Sequence, residues 1–203
     1  MDSQKIFVNC PFDNHYFSLL KPLLFTLVYM NLKPQISEIT DSGQIRINKI
    51  INFIKNSKYS IHDLSRMEPL ITGDLPRFNM PFECGIDFGI RYSGNNEYDD
   101  KIFLILEKEK HRYDEVISDI SGNDIQAHKN DREIIIKVIR DWYKVSNPNV
   151  PRHKEIWLAF NQFEYDYEQI LIHEDYDPKD IKSLTFSDII EFMQDWISNY
   201  KKT

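Results

Sequence analysis

The run Lys101-Ile102-Phe103-Leu104-Ile105-Leu106 is almost continuously apolar. Such a run fits a strand covered on both faces, as strands inside a parallel sheet are. Three β-rich runs precede it, at Lys5–Cys10, Lys33–Glu38 and Tyr59–Asp63, the second with an edge character from Pro34. Helical spacing fills the intervals. Phe17, Leu20, Leu24, Leu27 and Val28 mark one helix, in which Pro22 predicts a kink or a second start. Ile47, Ile50, Ile51 and Ile54 mark a second, cleanly amphipathic one. A third starts near Asn79 and ends near Ile90. Strand and helix alternating in this way imply an α/β fold, a mostly parallel sheet flanked by helices.

The pattern changes after Glu107. Asp119–Ile125 is loop-like with a short strand at its end, and Asp131 caps a helix running through Trp142. Residues 146–151 read as a linker, followed by helices at about Lys154–Leu171 and Ser187–Tyr200. The expected organisation is an α/β domain over 1–145 and a helical C-terminal extension over 152–203, packed on it. Trp157, Phe160 and Phe163 are read as helix core, and Glu107, Glu109, Asp114 and Glu115 as a solvated acidic face.

Charge and cysteine use exclude several classes. The net charge is −7, with no Lys/Arg block, which disfavours nucleic acid as a partner. Cys10 and Cys84 are the only cysteines, and no Cys/His spacing suits zinc, so no metal is expected. A reduced, cytoplasmic setting fits. No signal peptide is evident, and the apolar stretch Leu19–Met30 is interrupted by Lys21 and Pro22, so no membrane span is expected.

Candidate site residues gather where strands end. In open α/β sheets ligands sit beyond the carboxyl ends of the strands. Asn9-Cys10-Pro11-Phe12-Asp13 follows the first strand. There Phe12 can stack on a base and Asn9 can bond ribose or phosphate, or the segment is a plain turn with Asp13 or Asn14 capping a helix. Asp41-Ser42-Gly43 and Arg46 open the next helix, as a diphosphate site or as a simple turn. Asp63, Ser65 and Arg66 end the third strand, where Asp63 either anchors the loop or touches ligand. His62 points away from Asp63 and reads as a core histidine. Arg77 can pair with phosphate or with Asp63. Asn79 is the expected N-cap of the next helix, and Glu83 its first-turn carboxylate, favoured by the helix dipole. Cys84, Gly85 and Gly89 are small, letting that helix approach a strand or a ligand closely. His128, in the segment Ser121–His128, is a possible acid or base.

Asp63-Leu64-Ser65 followed by Asn79-Met80-Pro81-Phe82-Glu83-Cys84-Gly85 resembles the signature of the TIR and nucleoside 2-deoxyribosyltransferase-like superfamily. More closely, the chain is similar to uncharacterised bacterial TIR-like proteins. It shares their Phe-Val-Asn-Cys-Pro-Phe-Asp opening, the Asp41-Ser42-Gly43 turn, the run Tyr59–Arg66 and the run Leu75–Glu83. The resemblance spans residues 5 to about 108 and implies a flavodoxin-like fold. It implies that Glu83 acts on an N-glycosidic bond, holding the ribose hydroxyls and stabilising an oxocarbenium or attacking it. The implied activity is cleavage of the nicotinamide–ribose bond of NAD, as substrate and not as cofactor, in bacterial defence against phage. Assembly into a homo-oligomer on activation, through exposed aromatics of the C-terminal helices, and a defence partner protein belong to the same expectation. A nucleoside N-glycosidase, a deoxyribosyltransferase and a non-catalytic sensor of a nucleotide signal stay open as alternatives.

Overall fold

The structure, a computed structural model, describes residues 1–37, 43–67, 69, 73, 75–173 and 184–202, with the backbone alone at residue 114. The expected turn residues Asp41 and Ser42, and Glu38 of the second run, lie outside the described residues, as does the side chain of Asp114.

Among the described residues five parallel strands form one sheet. They are β1 (Asp2–Asn9), β2 (Lys33–Gln35), β3 (Ser57–Asp63), β4 (Ile102–Glu107) and β5 (Gln126–Ala127). Their order is β2-β1-β3-β4-β5. That is the flavodoxin-like arrangement, and chain order reverses between β1 and β3. Val8 stands opposite Ile61 and Asn9 opposite His62 across this junction. The two strands therefore end level, and the loops after them leave side by side.

The helices are α1 (Phe17–Tyr29), α2 (Arg46–Asn56), α3 (Asn79–Arg91), α4 (Arg132–Ser146), α5 (His153–His173) and α6 (Phe186–Tyr200). Strand alternation sends Ile6, Val8, Tyr59, Ile61, Leu104 and Leu106 into one core with α1, α4, α5 and α6. Phe160 and Phe163, from α5, stack around Phe25 of α1 within this core. The opposite face carries two smaller apolar clusters under α2 and α3, one around Phe7, Ile50 and Ile54, the other around Leu64, Met80 and Cys84. α1 runs unbroken through Pro22. The proline removes one N–H, and the carbonyl it would have served belongs to exposed Ser18, where water can replace it. Asp131 caps α4 as expected, accepting from the N–H groups of Glu133 and Ile134. No described helix is long and apolar enough to cross a membrane.

The α3 face hides a charged cluster. Lys101, fully buried, donates to the carbonyls of Ile54 and Ser57, both at 2.8 Å, and lies 3.2 Å from Asp87 Oδ1. Asp87 Oδ2 lies 3.1 Å from His62 Nε2. Burial raises the Asp87 pKa, but His62 and Lys101 outweigh it and hold the carboxyl below its ordinary value. His62 is thus a core histidine, packed edge-on against Phe7 and Phe103. Removing one partner of a buried ion pair leaves a charge unpaired and costs about 3–5 kcal/mol. Lys101→Met is therefore expected to lower unfolding stability in urea by about that amount; a loss below about 1 kcal/mol would show that the cluster is not ionised.

Candidate functional site

Asn9 links β1 to the start of α3. Its side-chain N–H groups reach the Met80 carbonyl at 2.9 Å and His62 Nδ1 at 3.0 Å. Nδ1 is thereby the acceptor, so the proton of His62 sits on Nε2, facing Asp87. Buried Asn9 is committed to these two partners. It holds Met80, three residues before Glu83, at the end of β1.

Glu83 follows as the fifth residue of α3, and the first turn of that helix holds no acid. The helix starts one residue earlier than an Asn79 cap would place it. Phe78 takes the cap position, no side chain caps the end, and Asn79 is exposed. The dipole argument for a first-turn carboxylate therefore does not apply. Burial governs instead: Glu83 is 5% exposed, and burial raises its pKa, with Arg46 opposing. Arg46 Nη2 stands 3.5 Å from Glu83 Oε1. This is the cation expected to hold a diphosphate; here it starts α2 and faces the carboxylate. Gly43 is exposed three residues before it. Gly85 and Gly89 do not serve close approach, since a Cβ at either would meet nothing within 4 Å.

Cys10 and Pro11 are buried, Cys10 in the core on the α1 side. Burial, then the charges of Asp63, Glu83 and Asp13, push the Cys10 thiol well above its ordinary value. Burial raises the Cys84 thiol to about 12. Neither is a thiolate nucleophile at neutral pH. Phe12 packs against Phe186 of α6, with ring centroids 5.4 Å apart, and so joins the C-terminal helices to the β1 loop. Asp13 Oδ1 accepts from the N–H groups of His15 and Tyr16 and holds the turn into α1.

Asp63 closes β3 on the other face. Tyr16 Oη donates to Oδ2, His128 Nε2 lies 3.2 Å from the same oxygen, and the Ser65 N–H reaches Oδ1 at 2.9 Å. Burial raises the Asp63 pKa, but His128, Ser65 and Tyr16 together bring it below its ordinary 3.8. The Asp63 carboxylate is an anchor. His128 is fully buried, and its Nδ1 accepts from the Asn130 N–H at 3.0 Å. Nδ1 is engaged, while Nε2 approaches Asp63 without a hydrogen bond, so His128 sits between the β5–α4 turn and β3. Arg77 is exposed and makes no side-chain ion pair among the described residues; its N–H bonds the Arg66 carbonyl at 3.1 Å.

Beyond the strand ends a cleft of about 440 Å³ is lined by Asp13, Tyr16, Ser65, Arg66, Lys108, Arg112 and neighbours. Glu83 is not among its walls. The predicted residues thus separate into two groups. Glu83, Arg46 and Asn9 lie toward α2 and α3, while Cys10, Asp13, Asp63, Ser65 and His128 lie toward α1 and α4. Two further residues belong to this edge, Tyr16 and Glu107. Tyr16 carries one sequence signal, an aromatic one turn after Asp13. Glu107 hid in an acidic run, where the expected solvated face fails: it is 1% exposed, because it ends β4 and its carboxylate turns back to the Lys108 N–H at 2.6 Å. No family model, no curated protein and no solved structure matches this chain.

Burial lifts the Glu107 pKa from 4.5 to about 7, against the Lys108 N–H and Arg112. A carboxyl whose folded pKa is raised binds protons that the unfolded chain has already released. Stability therefore falls as pH rises from about 4.5 to about 7, and the cost is fully present above that window. Glu107→Gln keeps the acceptor and removes the charge. It is expected to be more stable than wild type at pH near 8, by up to about 3 kcal/mol, and equal below pH about 4. Urea unfolding at the two pH values checks this; a variant less stable than wild type near pH 8 would place an ionised Glu107 in a favourable pair.

Proposed function

We propose that the protein is a TIR-like glycosidase that cleaves the nicotinamide–ribose bond of NAD, with Glu83 as the catalytic carboxylate. The observation that carries the reading is a carboxylate 5% exposed, beside the junction of β1 and β3, with one exposed arginine as its ion-pair partner. A buried carboxylate interacts with developing positive charge more strongly than a solvated one. As the glycosidic bond breaks, its electron pair passes to the pyridinium nitrogen and nicotinamide leaves neutral. The oxocarbenium at the ribose carbon faces Glu83, water adds to that carbon, and one proton is released. Burial raises the Glu83 pKa and Arg46 opposes it; an approaching cationic ring acts in the same direction as Arg46 and favours the carboxylate.

The motif around Asp63 and Asn79–Gly85 supports the same chemistry through its resemblance to the superfamily. Assembly is part of the proposal: Phe78 and Phe82, 60% and 62% exposed at the start of α3, offer a second copy an apolar surface next to Glu83. A bacterial, cytoplasmic defence role is the setting this chemistry suits, since loss of NAD halts growth.

The test is nicotinamide release from NAD by the purified full chain over a range of protein concentrations. Wild type is expected to turn over with a rate rising faster than linearly with concentration, and Glu83→Gln to lose at least about a hundredfold. Equal NAD consumption by wild type and Glu83→Ala contradicts the proposal. Cleavage of deoxynucleosides in place of NAD would assign the transferase chemistry to the same carboxylate.

A further inference from the structure

The cleft that excludes Glu83 has a chemistry of its own. Arg66, Lys108, Arg112 and His15 stand in its walls, in a chain whose net charge is −7. Asp13 is its one acidic wall residue among those described, and it is committed twice: Oδ1 holds two N–H groups and Oδ2 lies 3.1 Å from Arg66 Nε. Two carboxylates stand just behind the walls. Glu109 lies 3.7 Å from Lys108 Nζ, and Glu107 lies 4.0 Å from Arg112. Glu107 titrates at about 7, so it offsets Arg112 only in part at neutral pH.

Arg66 is 8% exposed, and its Nη1 has no hydrogen-bond partner among the described residues. A buried guanidinium with spare donors costs free energy that an anionic ligand recovers. Ser65 and Asn130 add neutral polar groups to the wall. The guanidinium fork matches the oxygens of a tetrahedral anion, and lysine supplies a point charge to the same group. The volume, about 440 Å³, accommodates a phosphoryl group and the sugar it is carried on.

We propose that this cleft is a phosphoryl-binding site separate from Glu83, with Arg66, Lys108 and Arg112 as the ligand-contacting cations. Its occupant is inorganic phosphate or the phosphate of a nucleotide, which share the chemistry that these side chains recognise. The proposal does not depend on Glu83 being catalytic.

Isothermal titration calorimetry on the full chain, in a phosphate-free buffer, tests it with inorganic phosphate, AMP and adenosine as probes. Phosphate and AMP are expected to bind saturably, and adenosine not to bind. Lys108→Glu, at a side chain 41% exposed and so neutral to folding, is expected to weaken both by at least tenfold. Arg112→Gln should weaken them too, and Glu83→Ala should leave phosphate affinity unchanged. AMP tighter than phosphate by tenfold or more identifies a nucleotide as the occupant; equal affinities identify the free anion. Absence of saturable binding overturns the proposal. So does a Lys108→Glu variant that binds as wild type, or phosphate affinity that follows Glu83 in place of Lys108.

Discussion

The carboxylate of Asp63 meets three groups at once, each from a different part of the chain. Tyr16 comes from the turn into α1, Ser65 from the loop after β3, and His128 from the turn between β5 and α4. A buried charge is stable only when such partners are present, so loss of any one exposes the others to the desolvation cost. The loops that define the ligand-facing edge of the sheet are thus held to one side chain. Asn9 does the corresponding work on the other face, where it spans from His62 to the start of α3.

With those anchors in place, the edge divides its charges by face. Glu83 stands on the α2 and α3 side with Arg46, and burial raises its pKa against that arginine. Arg66, Lys108 and Arg112 gather on the α1 and α4 side, around a cleft with few carboxylates. Two acids at this edge are pushed in opposite directions, Asp63 down by its partners and Glu83 up by burial. The loop from Cys10 to Asp13 runs between the two sides. Its thiol feels Asp63, Glu83 and Asp13 together.

Much of this was legible in the residues. The near-continuous apolar run of β4 and the 3.6-residue spacing of α2 carry strong periodic signals, so the order of elements and the parallel sheet follow from them. His62 was readable as core because strand alternation opposes it to Asp63. The side-chain partnerships were not. That Asp63 meets Tyr16 and His128 depends on loops brought together only by the closed sheet. Lys101 precedes an apolar strand and looks like a flanking charge, yet it is buried against Asp87 and two carbonyls. That Arg46 faces Glu83 follows from α2 beginning beside α3, and that Phe12 meets α6 follows from a helix position no local pattern encodes.

The contrast between the two carboxylates can be read directly. Carbon-13 NMR of the Asp63 and Glu83 carboxyl carbons, titrated from about pH 2 to about pH 8 and assigned through Asp63→Asn and Glu83→Gln, follows each group separately. The structure predicts a midpoint below 3.8 for Asp63 and above 4.5 for Glu83. An Asp63 midpoint at or above its ordinary value, or a Glu83 midpoint at or below its own, would contradict the division of labour described for this edge.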